Sequence, residues 1–274
     1  MNLLGDFTFS QSSLQDDVDC PRRFELRYLK RVRYPAPETQ DMLEFEQLMQ
    51  HGADFHRLIH QYILGIPTEL LTPFADEAPL NLWWRHFLAD GLRDVPDEKR
   101  LPEMTLIAPL GDYRLLAKYD LLAITPGERA VIMDWKTSRN LPKREWLAAK
   151  LQTRVYRYVL ALAGDELNDG AAIPPDAIEM RYWYAEHNRV ISFPYSEAQF
   201  AEDERYLLSL IAEIEERDIF PLTTDDRRCR FCTYRTLCGR GNEAGLLDEY
   251  ETDFEITLAD DFDIDLDQIA EIEF

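Results

Sequence analysis

Residues 113–136 read YRLLAKYDLLAITPGERAVIMDWK. Two apolar runs flank Pro126-Gly127, a pair that ends strands and makes turns. The first run carries one acid, Asp120, and the second ends on Asp134-Trp135-Lys136. Just upstream, Met104–Leu110 is a third such run, closed by Gly111-Asp112. The spacing predicts a meander of three strands, 104–110, 113–124 and 130–135. Two acids then sit on neighbouring strands.

Outward from this meander the period changes. Residues 41–64 place Leu43, Leu48, Phe55, Leu58, Ile59 and Tyr62 on one helical stripe that stops at Gly65 and Pro67. A third helix is expected over 80–93. Before these, TFSQSSLQDDVDCPRR suggests an opening strand or loop, a cap at Ser12 or Ser13, and a helix interrupted near Pro21, with helical period resuming over Arg22–Val32. Downstream, 143–163 returns to helical period, 178–185 and 189–194 form another hairpin, and 196–217 is a last amphipathic helix. Helices, three strands, a crossover helix, more strands and a helix together predict an α/β fold: a mixed sheet flanked by helices.

The chain has 274 residues, 30 Lys+Arg and 52 Asp+Glu, for a net charge of −22. With 46% hydrophobic residues it can bury a sizeable core, which excludes disorder throughout, a collagen-like chain and a basic coat protein. Charge is uneven. No Lys or Arg follows Arg240, and the tail from Glu243 to Glu273 carries 13 acids, so residues 1–240 form the expected domain and 241–274 an acidic tail outside the core. Three stretches, 21–33, 136–157 and 227–240, hold 18 of the basic residues against only Glu25 and Glu145. Such a locally positive surface suits phosphates. The longest apolar run near the middle, Tyr158–Ala163, is far too short to span a bilayer. MNLLGDFTFS has neither a basic start nor an apolar stretch of a secretory signal, so the expectation is a cytoplasmic protein without a membrane partner.

A D/E-x-K triplet arises by chance, and Asp97-Glu98-Lys99 is a second instance, in a loop beside Pro96. Context separates them. Adjacent strands bring Asp120 and Asp134 toward one ion, and two carboxylates with a strand-end carbonyl suit Mg²⁺ or Mn²⁺. Lys136, two residues after Asp134, shares its face and can orient water or stabilise developing charge. An exposed strand-end salt bridge is the plain alternative. Gln152 and Tyr156, spaced i and i+4, project from one face of the following helix toward the strand end. His56, four residues after Gly52, offers an imidazole, though a His56–His60 pair is also open.

In order, these residues resemble the RecB-type branch of the PD-(D/E)xK nucleases: G-x-x-x-H on a helix, Asp on a strand, D/E-x-K on the next, then Q-x-x-x-Y on a helix. Here they are Gly52…His56, Asp120, Asp134-Trp135-Lys136 and Gln152…Tyr156. The family's G-x-x-D is Ala117-Lys118-Tyr119-Asp120 in this chain, which keeps the acid. The resemblance implies a restriction-endonuclease-like fold and a Mg- or Mn-dependent deoxyribonuclease, an exonuclease acting on single-stranded DNA or DNA ends. By the same resemblance His56, Asp120, Asp134 and the Trp135 carbonyl bind the metal. Lys136 is then the catalytic base or charge stabiliser, Gln152 and Tyr156 organise site and DNA, and Glu103 is an auxiliary acid. A non-cleaving DNA-binding adaptor is the rival from another class. No G-x-x-x-x-G-K-S/T is present, so the chain carries no helicase of its own and works alone or with a protein partner.

Cys229-x2-Cys232-x5-Cys238 lies more than 200 residues from Cys20. Clustered thiols in a reducing compartment point to metal ligation, by zinc or by an iron–sulfur cluster, and spacing does not choose. One N-terminal and three C-terminal cysteines resemble the AddB nuclease subunit and the four-cysteine nucleases of CRISPR spacer acquisition, which implies a four-iron four-sulfur cluster and a place in CRISPR adaptation or recombinational repair. Closing it gathers Arg22, Arg23, Arg228, Arg230 and Arg235 beside Phe231 and Tyr234, aromatics that can stack on unpaired bases.

Overall fold

A computed structural model describes residues 7–33, 40–230 and 232–241, with the side chains of 40–46 left aside. The acidic tail, Phe231 and the Leu43 side chain therefore lie outside the described residues. A short strand β1 (Thr8–Ser10) leads into α1 (Gln11–Asp19) and α2 (Pro21–Phe24), the latter continued by a π-helical turn over Glu25–Leu29. Next come α3 (Gln40–Ile63), α4 (Thr68–Leu71) and α5 (Leu80–His86), which also ends in a π turn, Phe87–Gly91. The meander is β2 (Lys99–Leu110), β3 (Tyr113–Thr125) and β4 (Arg129–Lys136). Helices α6 (Arg144–Ala149) and α7 (Leu151–Ala163) then cross to β5 (Ile178–Tyr184), β6 (Arg189–Pro194) and α8 (Glu197–Glu215). The predicted order of elements holds.

Three local readings need correction. The cap of α1 is Ser10, not Ser12 or Ser13: its hydroxyl accepts from the Ser13 N–H while Ser13 Oγ reciprocates at the Ser10 N–H. The helical period beginning at Arg22 ends at Leu29, where the backbone turns at Lys30. The 143–163 helix is two helices, because Lys150 is extended (ψ 141°). There the Leu147 carbonyl accepts from the Lys150 N–H at 3.2 Å and from Thr153 Oγ1 at 2.6 Å, bonds that replace continuation of the helix.

The sheet has six strands and is mixed. β3 runs antiparallel to β2 along one edge; its other edge pairs first with β1, parallel, at Arg114–Leu116, and then with β4, antiparallel, at Leu121–Thr125. β4 is parallel to β5, and β5 antiparallel to β6. On that second edge, between β1 and β4, residues 117–120 of β3 pair with no strand among the described residues. Asp120 closes that gap. Helices cover both faces, giving two buried clusters. One packs α1, α2, α7 and α8 against Leu115, Ala117, Tyr119, Leu122, Ile132 and Met180. The other packs α3 and α5 against Leu121, Ala123, Val131, Met133 and Trp135, with Phe55, Trp83, Trp84, Phe87 and Trp183 in edge and stacked ring contacts.

The face of β3 that meets each cluster switches at Asp120. Residues 115, 117 and 119 belong to the first cluster and Leu121 and Ala123 to the second, so 120 and 121 break the alternation. On β2 the same break falls at Glu103, which has φ +53° and stands in the register position opposite Asp120. Left-handed backbone at a residue with a side chain is uncommon. Here it turns a carboxylate toward the α3 side of the sheet, beside Asp120.

Candidate active site

Everything at the end of β4 is buried: Asp134, Lys136 and Gln152 each show 5% exposure or less. Charges so placed need partners. Gln152 Nε2 donates to Asp134 Oδ1 at 2.6 Å, Lys136 Nζ lies 2.8 Å from Asp134 Oδ2, and Gln152 Oε1 accepts from Lys136 Nζ across a longer 3.4 Å. Gln152 reaches Asp134 because it opens α7, directly after the break at Lys150. Tyr156, one turn on, is buried; its ring meets Tyr119 at 5.0 Å and its carbonyl accepts from the Tyr119 hydroxyl. Its place is between α7 and β3.

On the other face, α3 delivers His56. Its Nε2 lies 3.0 Å from the Trp135 carbonyl and its Nδ1 3.5 Å from Asp120 Oδ2. Asp120 Oδ2 also accepts from the Trp135 N–H at 2.8 Å, just past the last ladder pair, Leu121 with Met133. A side chain thus substitutes for the next rung and spreads the strands. Burial alone would raise the Asp120 carboxyl, but attraction to and a hydrogen bond from His56, with Lys136 and the Trp135 N–H behind them, hold it below its ordinary value. Burial would likewise depress His56, and Asp120 outweighs it, raising the imidazole.

His56, Glu103 and Asp120 present ligand atoms within 4.8 Å of one another. Two carboxylates at opposed positions of adjacent strands repel unless a cation stands between or beside them. Glu103 is balanced here by Lys118, at 2.7 Å. The structure thus sorts the residues proposed from sequence into two neighbouring groups. His56, Asp120 and the Trp135 carbonyl meet on the α3 side with Glu103; Asp134, Lys136 and Gln152 meet on the α7 side. Asp134 and Lys136 remain within electrostatic reach of His56. Lys118 escaped the sequence reading, although its position two before Asp120 was the available signal.

The two segments that carry the cysteines meet across the chain ends, although among the described residues no three cysteine sulfurs lie within 4.8 Å of one another. Arg22 N–H donates to the Pro221 carbonyl, and the Tyr234 hydroxyl to that of Val32. Burial raises the thiols of Cys229, Cys232 and Cys238, and each also feels the negative charge that Cys20 would carry. Most of the arginines expected to form a basic rim around them are engaged by groups of the chain itself, and Phe231 lies outside the described residues. Arg23 sits between Asp16 at 2.7 Å and Asp19 at 3.0 Å, Arg228 pairs with Asp19 at 3.0 Å, Arg22 with Glu25, and Arg235 is buried on the Arg230 carbonyl. The acids of α1 face the cysteine segment and take up its charge. Tyr234 is buried as well and offers no open ring.

No helix among the described residues is long and apolar enough to cross a membrane. No curated protein sequence matches the chain significantly. Among solved structures, the crystal structure of a "Putative exonuclease" from Eubacterium rectale is similar at 13% identity with a TM-score of 0.50, covering 82% of this chain and 85% of that one. The crystal structure of SSO0001, also 13% identical, covers 84% and 85% with a TM-score of 0.37. The family profile described as "PD-(D/E)XK nuclease superfamily" matches residues 8–239, a span that runs from β1 through both groups of the site to the last cysteine. That span includes the whole mixed sheet and the Asp134-Trp135-Lys136 at the end of β4, and the chain belongs to the PD-(D/E)XK nuclease superfamily.

Proposed function

We propose that the chain is a Mg²⁺- or Mn²⁺-dependent deoxyribonuclease that hydrolyses phosphodiester bonds, an exonuclease on single-stranded DNA or DNA ends. The observation that carries this is the parting of β3 and β4 at Asp120, which collects the His56 imidazole, the Asp120 carboxylate and the Trp135 carbonyl around one point. Imidazole, carboxylate and carbonyl donors fit a hard divalent ion. His56, Asp120, Asp134 and the Trp135 carbonyl would hold it, with Glu103 at hand. When bound, such an ion supplies charge neutralisation at phosphate and lowers the pKa of water. Lys136 is the proton acceptor as a neutral amine or the charge stabiliser as an ammonium, and Asp134 and Gln152 hold its Nζ in place within a buried setting, where charge acts strongly. Tyr156 fixes the angle of α7 against β3, and so the position of Gln152.

The donor set Cys20, Cys229, Cys232 and Cys238 suits a four-iron four-sulfur cluster, with zinc as the alternative. Bound there, it would tie α1–α2 to the segment after Pro221 and close a loop of some two hundred residues.

The test joins both sites on one anaerobically purified sample: iron, sulfide and zinc analysis, a visible spectrum, and digestion of labelled single-stranded and blunt duplex DNA with and without Mn²⁺. Cleavage that needs Mn²⁺ and disappears in Asp120→Asn and Lys136→Ala is expected, with broad visible absorption from iron. DNA bound but uncut by the metal-loaded protein would overturn the reading in favour of an adaptor, and zinc in a colourless protein would replace the cluster.

A further inference from the structure

The basic stretch nearest the candidate catalytic lysine lies between Lys136 and Gln152. Fifteen residues leave the site at one and return to it at the other, and the two ends are joined by the contacts of Gln152 with Asp134 and Lys136. This segment holds Arg139, Lys143, Arg144 and Lys150 against one acid, Glu145, and Arg139, Lys143 and Arg144 are exposed. It is fastened beneath. Leu147 is fully buried in the core, its carbonyl accepts from Thr153 Oγ1, and the Arg139 carbonyl lies 2.7 Å from His187 Nε2.

On this fastened segment stands Trp146. The other four tryptophans, 83, 84, 135 and 183, are at most 2% exposed, whereas Trp146 is 38% exposed. Burying Leu147 inward leaves its neighbour on the outer side of a six-residue helix. The Lys150 ammonium lies 4.2 Å from the Trp146 ring centroid, and the Arg144 guanidinium 4.5 Å from that of Phe193 on β6, so cations stand beside the segment's one aromatic and against the sheet beneath it. An exposed indole beside cations offers a plane on which a base can stack and positive charge for its phosphates.

We propose that residues 139–150 are the strand-binding platform of the nuclease: an unpaired nucleotide stacks on Trp146, and Arg139, Lys143, Arg144 and Lys150 track its phosphates toward Lys136. The inference rests on the nuclease reading and names the form of substrate, since a base inside a duplex has no free face to stack.

The test uses the intact protein carrying Lys136→Ala, so that bound DNA survives, and reads tryptophan fluorescence. Because Trp146 is the exposed indole, a short oligothymidylate should quench the fraction of emission that iodide also quenches, and a blunt duplex should not. Trp146→Phe should remove that quenching yet retain much of the affinity, and Trp146→Ala should weaken oligothymidylate binding about ten-fold. Lys143→Ala and Arg144→Ala should each lower the slope of log affinity against log salt by about 0.7. Binding of single strands with no Trp146 quenching and with unchanged affinity in Trp146→Ala, together with their cleavage by the protein that keeps Lys136, would overturn the platform and leave the nuclease reading standing. If neither single strands nor duplex bind or are cut, that reading itself fails. Equal quenching by blunt duplex would overturn the specificity for unpaired strands.

Discussion

The strand-end site and the cysteine junction are built in opposite ways. At the strand end, sheet register places each group: Asp120 stands in register opposite Glu103 and takes the Trp135 N–H, while α7 brings Gln152 onto Asp134. Around the cysteines, the described residues of 221–241 hold no strand and only a short 3₁₀ turn, Asp226–Cys229. What holds them to the N-terminal helices is Arg228 on Asp19, the Arg22 N–H on the Pro221 carbonyl, and the Tyr234 hydroxyl on the Val32 carbonyl. A register-built site carries its geometry in the backbone ladder and keeps it when a single partner is lost. A site built from loop and side chains depends on its ligand, since few buried apolar groups hold it.

That contrast can be broken by mutation. The largest expected effect is Lys136→Ala, which should lower the cleavage rate by about 10²–10³-fold while leaving the cysteine-bound metal content unchanged; loss of both together would show one cooperative unit. Cys232→Ser should do the converse, emptying the thiolate site and opening residues 221–241 to limited proteolysis, with Mn²⁺ binding at the strand end retained in calorimetry. If the variant keeps its metal and its protease resistance, the junction is held by its ion pairs alone. Gln152→Leu should cost about 10–100-fold in cleavage or Mn²⁺ affinity, because it removes the group that orients Asp134. The smallest effect belongs to the tail. Truncation after Gly241 removes 13 acids and should raise DNA affinity a few-fold at low salt, with no difference once salt screens it; equal affinity at low salt would dismiss competition between tail and DNA.

The fold was legible because its strands are continuous apolar runs bounded by Gly and Pro, and its helices keep their period. The site was legible as an ordered set of residue types, since strand alternation puts Asp134 and Lys136 on one face and a helical turn puts Gln152 beside Tyr156. Three matters were not. The break at Lys150 has no Gly or Pro to mark it, because its cause is the Thr153 hydroxyl on the Leu147 carbonyl. Arg228 beside the cysteines read as surface because Asp19, which neutralises it, lies some two hundred residues away on α1, and Arg23 because the sequence does not show α2 turning back onto Asp16 and Asp19.

Glu103 is the sharpest of the three. Sequence alone determined that acids, a lysine and a histidine occur at spacings suited to a metal-dependent chemistry, since periodicity is a property of the local chain. Which of them share a face was decided by the tertiary structure. The alternation of β2 and β3 breaks at Glu103 and Asp120, moving both carboxylates to the α3 side with His56 and leaving Asp134 with Lys136 and Gln152 on the other. A single residue with left-handed backbone reverses which way every later side chain points, and strand periodicity carries no trace of it.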